Sequence, residues 1–197
     1  PDQGLYMPER IPVLPEEFFS TMHELSFKEI GYKVIEALFS EDLTKEQIKS
    51  LVDHTLDFDA PVVEVEKDVY TLELFHGPTL AFKDFGARFC SKVMSMLQEK
   101  HGIKVLVATS GDTGSAVANG FLDVDGVEVV ILYPSGKVSE LQEKQFTTLG
   151  KNIKAIEVNG VFDDCQKLVK EAFLVLFLCL FQIAKRRQKT CVFCTKW

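Results

Sequence analysis

Between Val105 and Phe173 the chain alternates short β-branched runs with helical ones, and this alternation limits the fold more than any other feature. Val105 to Ala108, Val127 to Tyr133 and Ile153 to Val158 have strand character, whereas Ser115 to Phe121, Ser139 to Leu149 and Asp163 to Phe173 have helical spacing. A strand followed each time by a helix needs crossover connections, which make a parallel sheet with helices over its faces. Ahead of this unit the sequence predicts helices and then a strand pair. Ser26 to Glu29 has the S-x-x-E form of a capping box, and Phe27, Ile30, Val34 and Leu38 recur at helical spacing behind it. Thr44 to Gln47 repeats the device before Ile48, Leu51 and Val52. Pro61 to Val65 and Val69 to Phe75 read as strands, with Glu66, Lys67 and Asp68 as the turn.

Two junctions carry chemistry. Lys83 follows Leu80, Ala81 and Phe82 and precedes a helical run from near Asp84, in which Phe85, Phe89, Val93 and Met96 share one face until His101 and Gly102. A cation at the positive end of a helix dipole, beside apolar neighbours, is pushed toward its uncharged form, and an uncharged amine is a nucleophile. The second junction runs from strand residues Val105 to Thr109 into Ser110, Gly111, Asp112, Thr113, Gly114 and Ser115, whose backbone and hydroxyl donors suit an anion. An activated amine paired with an anion cradle is the chemistry of a Schiff-base enzyme acting on a small acidic molecule. The expectation is therefore that the Lys83 amine faces the serine and glycine turn rather than open water.

Other readings of these residues fail on spacing. The glycine turn fits neither a Walker loop nor a dinucleotide fingerprint. Asp112-Thr113-Gly114 has the residues of an aspartic protease motif, but that chemistry needs two carboxylates in an all-β setting, and here a helix-forming run follows. Cys191 and Cys194 form a CxxC pair with no second pair or histidine cluster beside it, so no metal site is expected. Cys90 and Cys165 fall on predicted helices, where packing is their role. His76 precedes Gly77-Pro78 and reads equally as a turn residue or a proton carrier.

Charge excludes some classes. A formal net charge of -7 gives no basic face for a nucleic-acid backbone. Five of the 22 basic residues and none of the 29 acidic ones lie beyond Ala184, so Lys185, Arg186, Arg187, Lys189 and Lys196 mark a compositionally foreign tail. The apolar run from Ala172 to Ala184 falls short of the roughly 20 residues of a membrane span. Five cysteines, an odd number with no secretory signal ahead of them, fit a reducing cytoplasm.

Several segments in one order resemble threonine synthases, enzymes of the fold type II pyridoxal-phosphate class. Glu73-Leu74-Phe75-His76-Gly77-Pro78-Thr79-Leu80-Ala81-Phe82-Lys83-Asp84 is similar to their pyridoxal-lysine segment, and Ala108-Thr109-Ser110-Gly111-Asp112-Thr113-Gly114-Ser115-Ala116 to their substrate loop. Leu132 to Ser139, Gln142 to Gly150, Phe162 to Gln166 and Pro1 to Pro8 resemble further segments, and the resemblance ends at about Phe173. It implies an α/β fold of which the C-terminal half is absent. The expected organisation is an N-terminal helical segment and strand pair (1–75), a pyridoxal-lysine segment and helix of the larger domain (76–102), a smaller α/β domain (103–173) and the foreign tail (174–197). It also implies pyridoxal 5'-phosphate bound by Lys83 and Asp112, with Lys83 catalytic, and a substrate carboxylate held by Ser110, Gly111, Thr113, Gly114 and Ser115. Lys137, Ser139 and Gln145 read as surface and capping residues within reach of a substrate phosphate.

The implied reaction is O-phospho-L-homoserine plus water to L-threonine plus phosphate, in a truncated chain inactive alone. No nucleic acid or membrane partner is expected, and the oligomeric state is left open. Two alternatives stand beside it: another enzyme of the same fold, such as a threonine dehydratase or cysteine synthase, and a non-catalytic mis-spliced or frameshifted product.

Overall fold

The three β-branched runs pair side by side in the computed structural model, which describes residues 7–97 and 102–182. The expected helix end at His101, Pro1 to Tyr6, and the tail beyond Gln182 with Cys191 and Cys194 lie outside the described residues. The chain divides into two compact units, the first ending at Asp57 and the second starting at Phe58.

The first unit is helical. Helix α1 (Glu16–Thr21) follows Pro15, has Glu16 and Glu17 in its first turn and buries Phe18. A short 3-10 turn, Met22–Glu24, leads to α2 (Phe27–Phe39) and α3 (Lys45–Thr55). Both predicted capping boxes form. The Ser26 amide donates to Glu29 Oε2 at 2.7 Å and the Thr44 amide to Gln47 Oε1 at 2.8 Å, with the reciprocal bonds at 3.3 Å in each case. Helix α3 buries Ile48, Leu51 and Val52.

In the second unit, β1 (Val62–Glu66) and β2 (Val69–Leu72) form an antiparallel ribbon with Val63 opposite Thr71 and Glu64 opposite Tyr70. Asp68 makes the tight turn with φ of 61°. Every residue of both strands is exposed. Helix α4 (Lys83–Leu97) follows, and then the alternating unit: β3 (Ile103–Ala108), α5 (Asp112–Gly120), β4 (Val127–Pro134), α6 (Glu140–Thr147), β5 (Ile153–Val158) and α7 (Phe162–Gln182). The strands lie in the order β3-β4-β5 and all pairings are parallel, as the alternation requires.

Period-two patterning sorts the sheet's side chains between two cores. Val105, Val107, Val129, Ile131 and Tyr133 join Val117 and Phe121 of the α5 side and Phe146 of α6. Leu106, Ala108 and Leu132 pack instead with Cys165 and Val169 of α7. Helices thus cover both faces, as a parallel sheet demands. Helix α4 reaches the first core at Ala87, where Gly120 of α5 lets the backbones approach: a Cβ at Gly120 would lie 3.0 Å from the Ala87 carbonyl carbon. That crossing holds the start of α4 near the sheet. No helix among the described residues is long and apolar enough to cross a membrane.

Two helices run beyond the bounds the sequence suggests. Helix α5 starts at Asp112 rather than Ser115, for a reason given with the site below. Helix α7 continues nine residues past Phe173, because the leucine-rich run has helix-forming residues and no glycine or proline to stop it.

At the N-terminal end of the sheet, Glu128 of β4 bridges Lys104 of β3, at 2.9 Å, and Lys154 of β5. Hydrogen bonds from Lys154 and Lys104 hold the Glu128 carboxyl down at about 2, against an ordinary value of 4.5. A depressed folded-state value contributes stability that is present above the unfolded value and lost as pH falls through the folded one. The stability gap between the natural chain and Glu128→Gln should therefore narrow as pH falls from about 5 toward about 2. Urea melts across that range measure it, and a gap independent of pH would contradict the bridge.

Candidate active site

The lysine loop is set by a buried carboxylate. Asp84, 1% exposed, accepts from the Thr79 amide at 2.9 Å and the Thr79 hydroxyl at 2.6 Å. Two turns close beneath these bonds, Leu80 N–H to Gly77 O at 3.1 Å and Asp84 N–H to Ala81 O at 3.0 Å. Leu80 takes a left-handed φ of 60°, which leaves its side chain 70% exposed. Lys83 is the first residue of α4, the position the sequence predicts. Its surroundings are less apolar than Leu80-Ala81-Phe82 suggests, because only Ala81 of the three is buried. The amine lies 4.8 Å from the Phe82 ring centroid.

The second junction is organised by Thr109, buried at the end of β3. Its hydroxyl accepts from the Gly111 amide at 3.0 Å and the Gly114 amide at 2.8 Å and donates to Gly111 O at 3.0 Å. Gly111, with φ of 151°, is the last residue of the three-residue connection from strand to helix. The two together start α5 at Asp112, three residues ahead of the expected Ser115. They also commit two of the junction's N–H groups to Thr109. The amides of Ser110, Asp112 and Thr113 hold no hydrogen bond to protein among the described residues, which leaves donors at a helix start where negative charge is favoured.

Lys83, Ser110, Asp112 and Thr113 line one cleft of about 250 Å³, together with Ala108, Thr109, Gln142 and Phe162. Four of the sequence-predicted residues are thus brought together. Gly111, Gly114 and Ser115 are not among the lining residues: the two glycines shape the turn, and the buried Ser115 hydroxyl donates to Gln142 O at 3.3 Å and Gly111 O at 3.5 Å. The cleft sits at the C-terminal ends of the strands, where open α/β sheets take their ligands. A larger cavity of about 570 Å³ lies at the opposite end, lined by Gly102 to Lys104, Asp123 to Glu128 and Asn152. It contains neither junction, so its size does not make it the site.

Sequence reasoning missed Thr109, Asp84 and Gln142. The Gln142 amide donates to the Asp112 carboxylate across 30 residues, and Ser139 caps α6 by accepting from Gln142 N–H at 3.4 Å. Lys137 is exposed and outside the cleft, and Glu140 and Glu143 occupy the first turn of α6, a poor setting for a phosphate. His76 Nε2 pairs with Glu73 Oε2 at 2.7 Å, and its ring stacks on Phe75. Burial, then Asp164, push the Cys165 thiol above its ordinary value, in keeping with a packing role.

These residues fit part of a pyridoxal phosphate site. The cleft offers the primary amine that an aldehyde requires and uncommitted N–H donors at a helix start. Its volume lies below the roughly 300–1,000 Å³ of complete ligand pockets. The family profiles agree with this chemistry. One described as threonine synthase N terminus matches residues 1–56, and one described as pyridoxal-phosphate dependent enzyme matches residues 57–175. The chain belongs to the pyridoxal-phosphate dependent enzyme family.

Within the family, a threonine synthase of Buchnera aphidicola (Acyrthosiphon pisum) is 47% identical over 173 residues, covering 87% of this chain and 40% of the relative. The crystal structure of threonine synthase from Escherichia coli matches with a TM-score of 0.80 at 46% identity, over 87% of this chain and 40% of that one. A pyridoxal-phosphate-bound threonine synthase from Brucella melitensis matches with a TM-score of 0.84 at 30% identity, over 100% of this chain and 42% of that one. The chain spans about 40% of the length of the curated relatives it matches. The likeness bears out the α/β fold read from the alternation.

The turn geometry predicts a contrast between two glycines. A Cβ at Gly114 would lie 2.5 Å from Thr109 Cγ2 and 2.9 Å from Thr109 Cβ, whereas one at Gly86 of α4 meets nothing within 4 Å. Gly114→Ala should destabilise the chain by about 1–3 kcal/mol, and Gly86→Ala should stabilise it by about 0.5–1 kcal/mol. Denaturant melts of the two variants measure both signs.

Proposed function

We propose that this chain is the N-terminal part of a threonine synthase, converting O-phospho-L-homoserine and water to L-threonine and phosphate in the cytoplasm. The observation that carries it is the shared cleft of Lys83 and the α5 start: Lys83 lines one space with the three residues whose amides are uncommitted. When bound, pyridoxal phosphate supplies an aldehyde for the amine and an electron sink that lets phosphate leave the γ-carbon and water add at the β-carbon.

The protein's own residues do the rest. Lys83 Nζ is the amine that would hold the aldehyde, and the same nitrogen would serve as the base for the substrate's α-proton. The Ser110, Asp112 and Thr113 amides, at the positive end of α5, receive the substrate carboxylate. The hydroxyls of Ser110 and Thr113 add donors to the same cleft, while Gly111 and Gly114 admit the tight turn. Asp112 would contact the cofactor, and Ser115 supports the turn through its hydrogen bonds to Gln142 O and Gly111 O. Asp84 and Thr109 act through position, each fixing one loop. We further propose the division of residues 76–102 and 103–173 between a larger and a smaller domain, with this cleft at the seam. The incomplete cleft and the 40% coverage of relatives support weak capture of the cofactor by this chain and no turnover by it alone.

Mixing the chain with pyridoxal phosphate, reducing with borohydride and mapping the modified peptide tests the proposal. Lys83 should carry more label than any other lysine, and Lys83→Arg should abolish that peptide's label. Label on other lysines and none at Lys83 would overturn it. Adding O-phospho-L-homoserine before reduction should lower the label more than adding L-threonine does. The reverse order would favour a dehydratase.

A further inference from the structure

Leu80 stands in the lysine loop with a left-handed φ of 60°, a conformation that suits glycine and strains a residue with a Cβ. Of the other described non-glycine residues with positive φ, Asp68 and Asp123 are of a type that tolerates it, and Lys151 is the third. Leu80 gains little packing in return, because its side chain is 70% exposed. A strained residue persists only where its surroundings over-determine it. Here they do so from two directions. Ahead of Leu80, Pro78 holds the second place of the turn that Leu80 N–H closes on Gly77 O at 3.1 Å, where its fixed φ is favoured. Across the loop, the buried Thr79 donates its hydroxyl to Asp84 Oδ1 at 2.6 Å and its amide to Asp84 Oδ2 at 2.9 Å, so the residues on either side of 80–83 are tied together. This clamp is itself enclosed. A Cβ at Gly77 would lie 2.5 Å from Asp84 Oδ2 and 2.8 Å from Phe58 Cζ, and the Phe58 ring packs on Phe85 with centroids 4.6 Å apart.

The clamped span contains Lys83, which lines the cleft. Only Ala81 and Phe82 separate it from Leu80, so a change of φ at Leu80 would carry Lys83 with it. We propose that Thr79 is a positioning residue: its bonds to Asp84 hold Leu80 in the left-handed conformation and so keep Lys83 at the cleft. Without the hydroxyl bond, Leu80 returns to an ordinary negative φ and Lys83 is displaced. This inference rests on the function proposed above for the role of Lys83, but not for the clamp itself.

A double-mutant cycle on the full 197-residue chain tests it. Thr79→Val keeps the shape of the side chain and removes its hydroxyl, and Leu80→Gly removes the penalty for a left-handed φ. The readout is the rate at which Lys83 takes up borohydride-fixed pyridoxal phosphate. Thr79→Val should slow labelling about tenfold in the natural background and only about twofold in the Leu80→Gly background, where no strain drives the loop away. Thr79→Ser, which keeps the hydroxyl, should label at the natural rate. A clamp that served the fold alone would cause equal losses in both backgrounds. That result, no loss in the natural background, or a Thr79→Ser loss as large as that of Thr79→Val overturns the proposal. Thr79→Ala, which leaves room for water to satisfy Asp84 Oδ1, must show the same dependence on Leu80 and stands in if Thr79→Val does not fold. The Leu80 Cα and Cβ chemical shifts of the cofactor-free chain separate this inference from the proposed function. If even the natural chain takes no label at Lys83, the function fails, while a move of these shifts from left-handed toward ordinary values in Thr79→Val still supports the clamp, and unchanged shifts overturn it.

Discussion

A single buried hydroxyl governs how strand becomes helix at the C-terminal end of the sheet. Thr109 takes the amide hydrogens of Gly111 and Gly114 and returns its own to Gly111 O. Each bond has a net worth of only about 0.5–1.5 kcal/mol, but a buried amide left unpaired costs about 1–3 kcal/mol, so the alternatives to this turn are worse than the turn is good. With two junction amides committed to Thr109, those of Ser110, Asp112 and Thr113 are left over at the positive end of α5. Asp84 does the corresponding work for the lysine loop, since its carboxylate holds both the amide and the hydroxyl of Thr79. The crossing of α4 and α5 at Gly120 then puts the two loops on the same cleft. Nothing in this arrangement depends on a long flexible loop.

The same construction leaves surface uncovered. Val62, Val65, Val69, Tyr70 and Leu72 of the β1-β2 ribbon are each at least 50% exposed, although their β-branched and aromatic character suits a packed sheet. Exposed apolar strands with open edges are surfaces that further chain or association normally covers. The ribbon, the small cleft and the 40% span of the relatives point the same way. Among the described residues the cleft is small and only partly enclosed.

How much of this the sequence discloses depends on the range of the interaction. Strand β5 was legible to the residue, because Ile153 to Val158 is a local β-rich run flanked by turn residues. The capping boxes were legible because donor and acceptor are three residues apart. Lys83 was legible as the start of α4, but its exposed neighbours were not, since the left-handed turn at Leu80 sends that side chain outward. Helix α1 had no clear signal, as Phe18 is its one buried residue. The early start of α5 was missed because Thr109, whose hydroxyl holds the Gly111 and Gly114 amides, reads in sequence as the end of the preceding strand. Gln142 was invisible for a stronger reason: its partner lies 30 residues away, on another helix, and only the crossover brings them together.

The claim at the centre of this account is that the chain's ligand end is the C-terminal end of the parallel sheet, not the larger cavity opposite. A nitrogen–proton correlation spectrum of the chain titrated with pyridoxal phosphate tests this directly. The account predicts one saturable set of shifts at Lys83, Ser110, Asp112 and Thr113. Shifts centred on Gly102 to Lys104 and Asp123 to Glu128, with the α5 start unmoved, would contradict it.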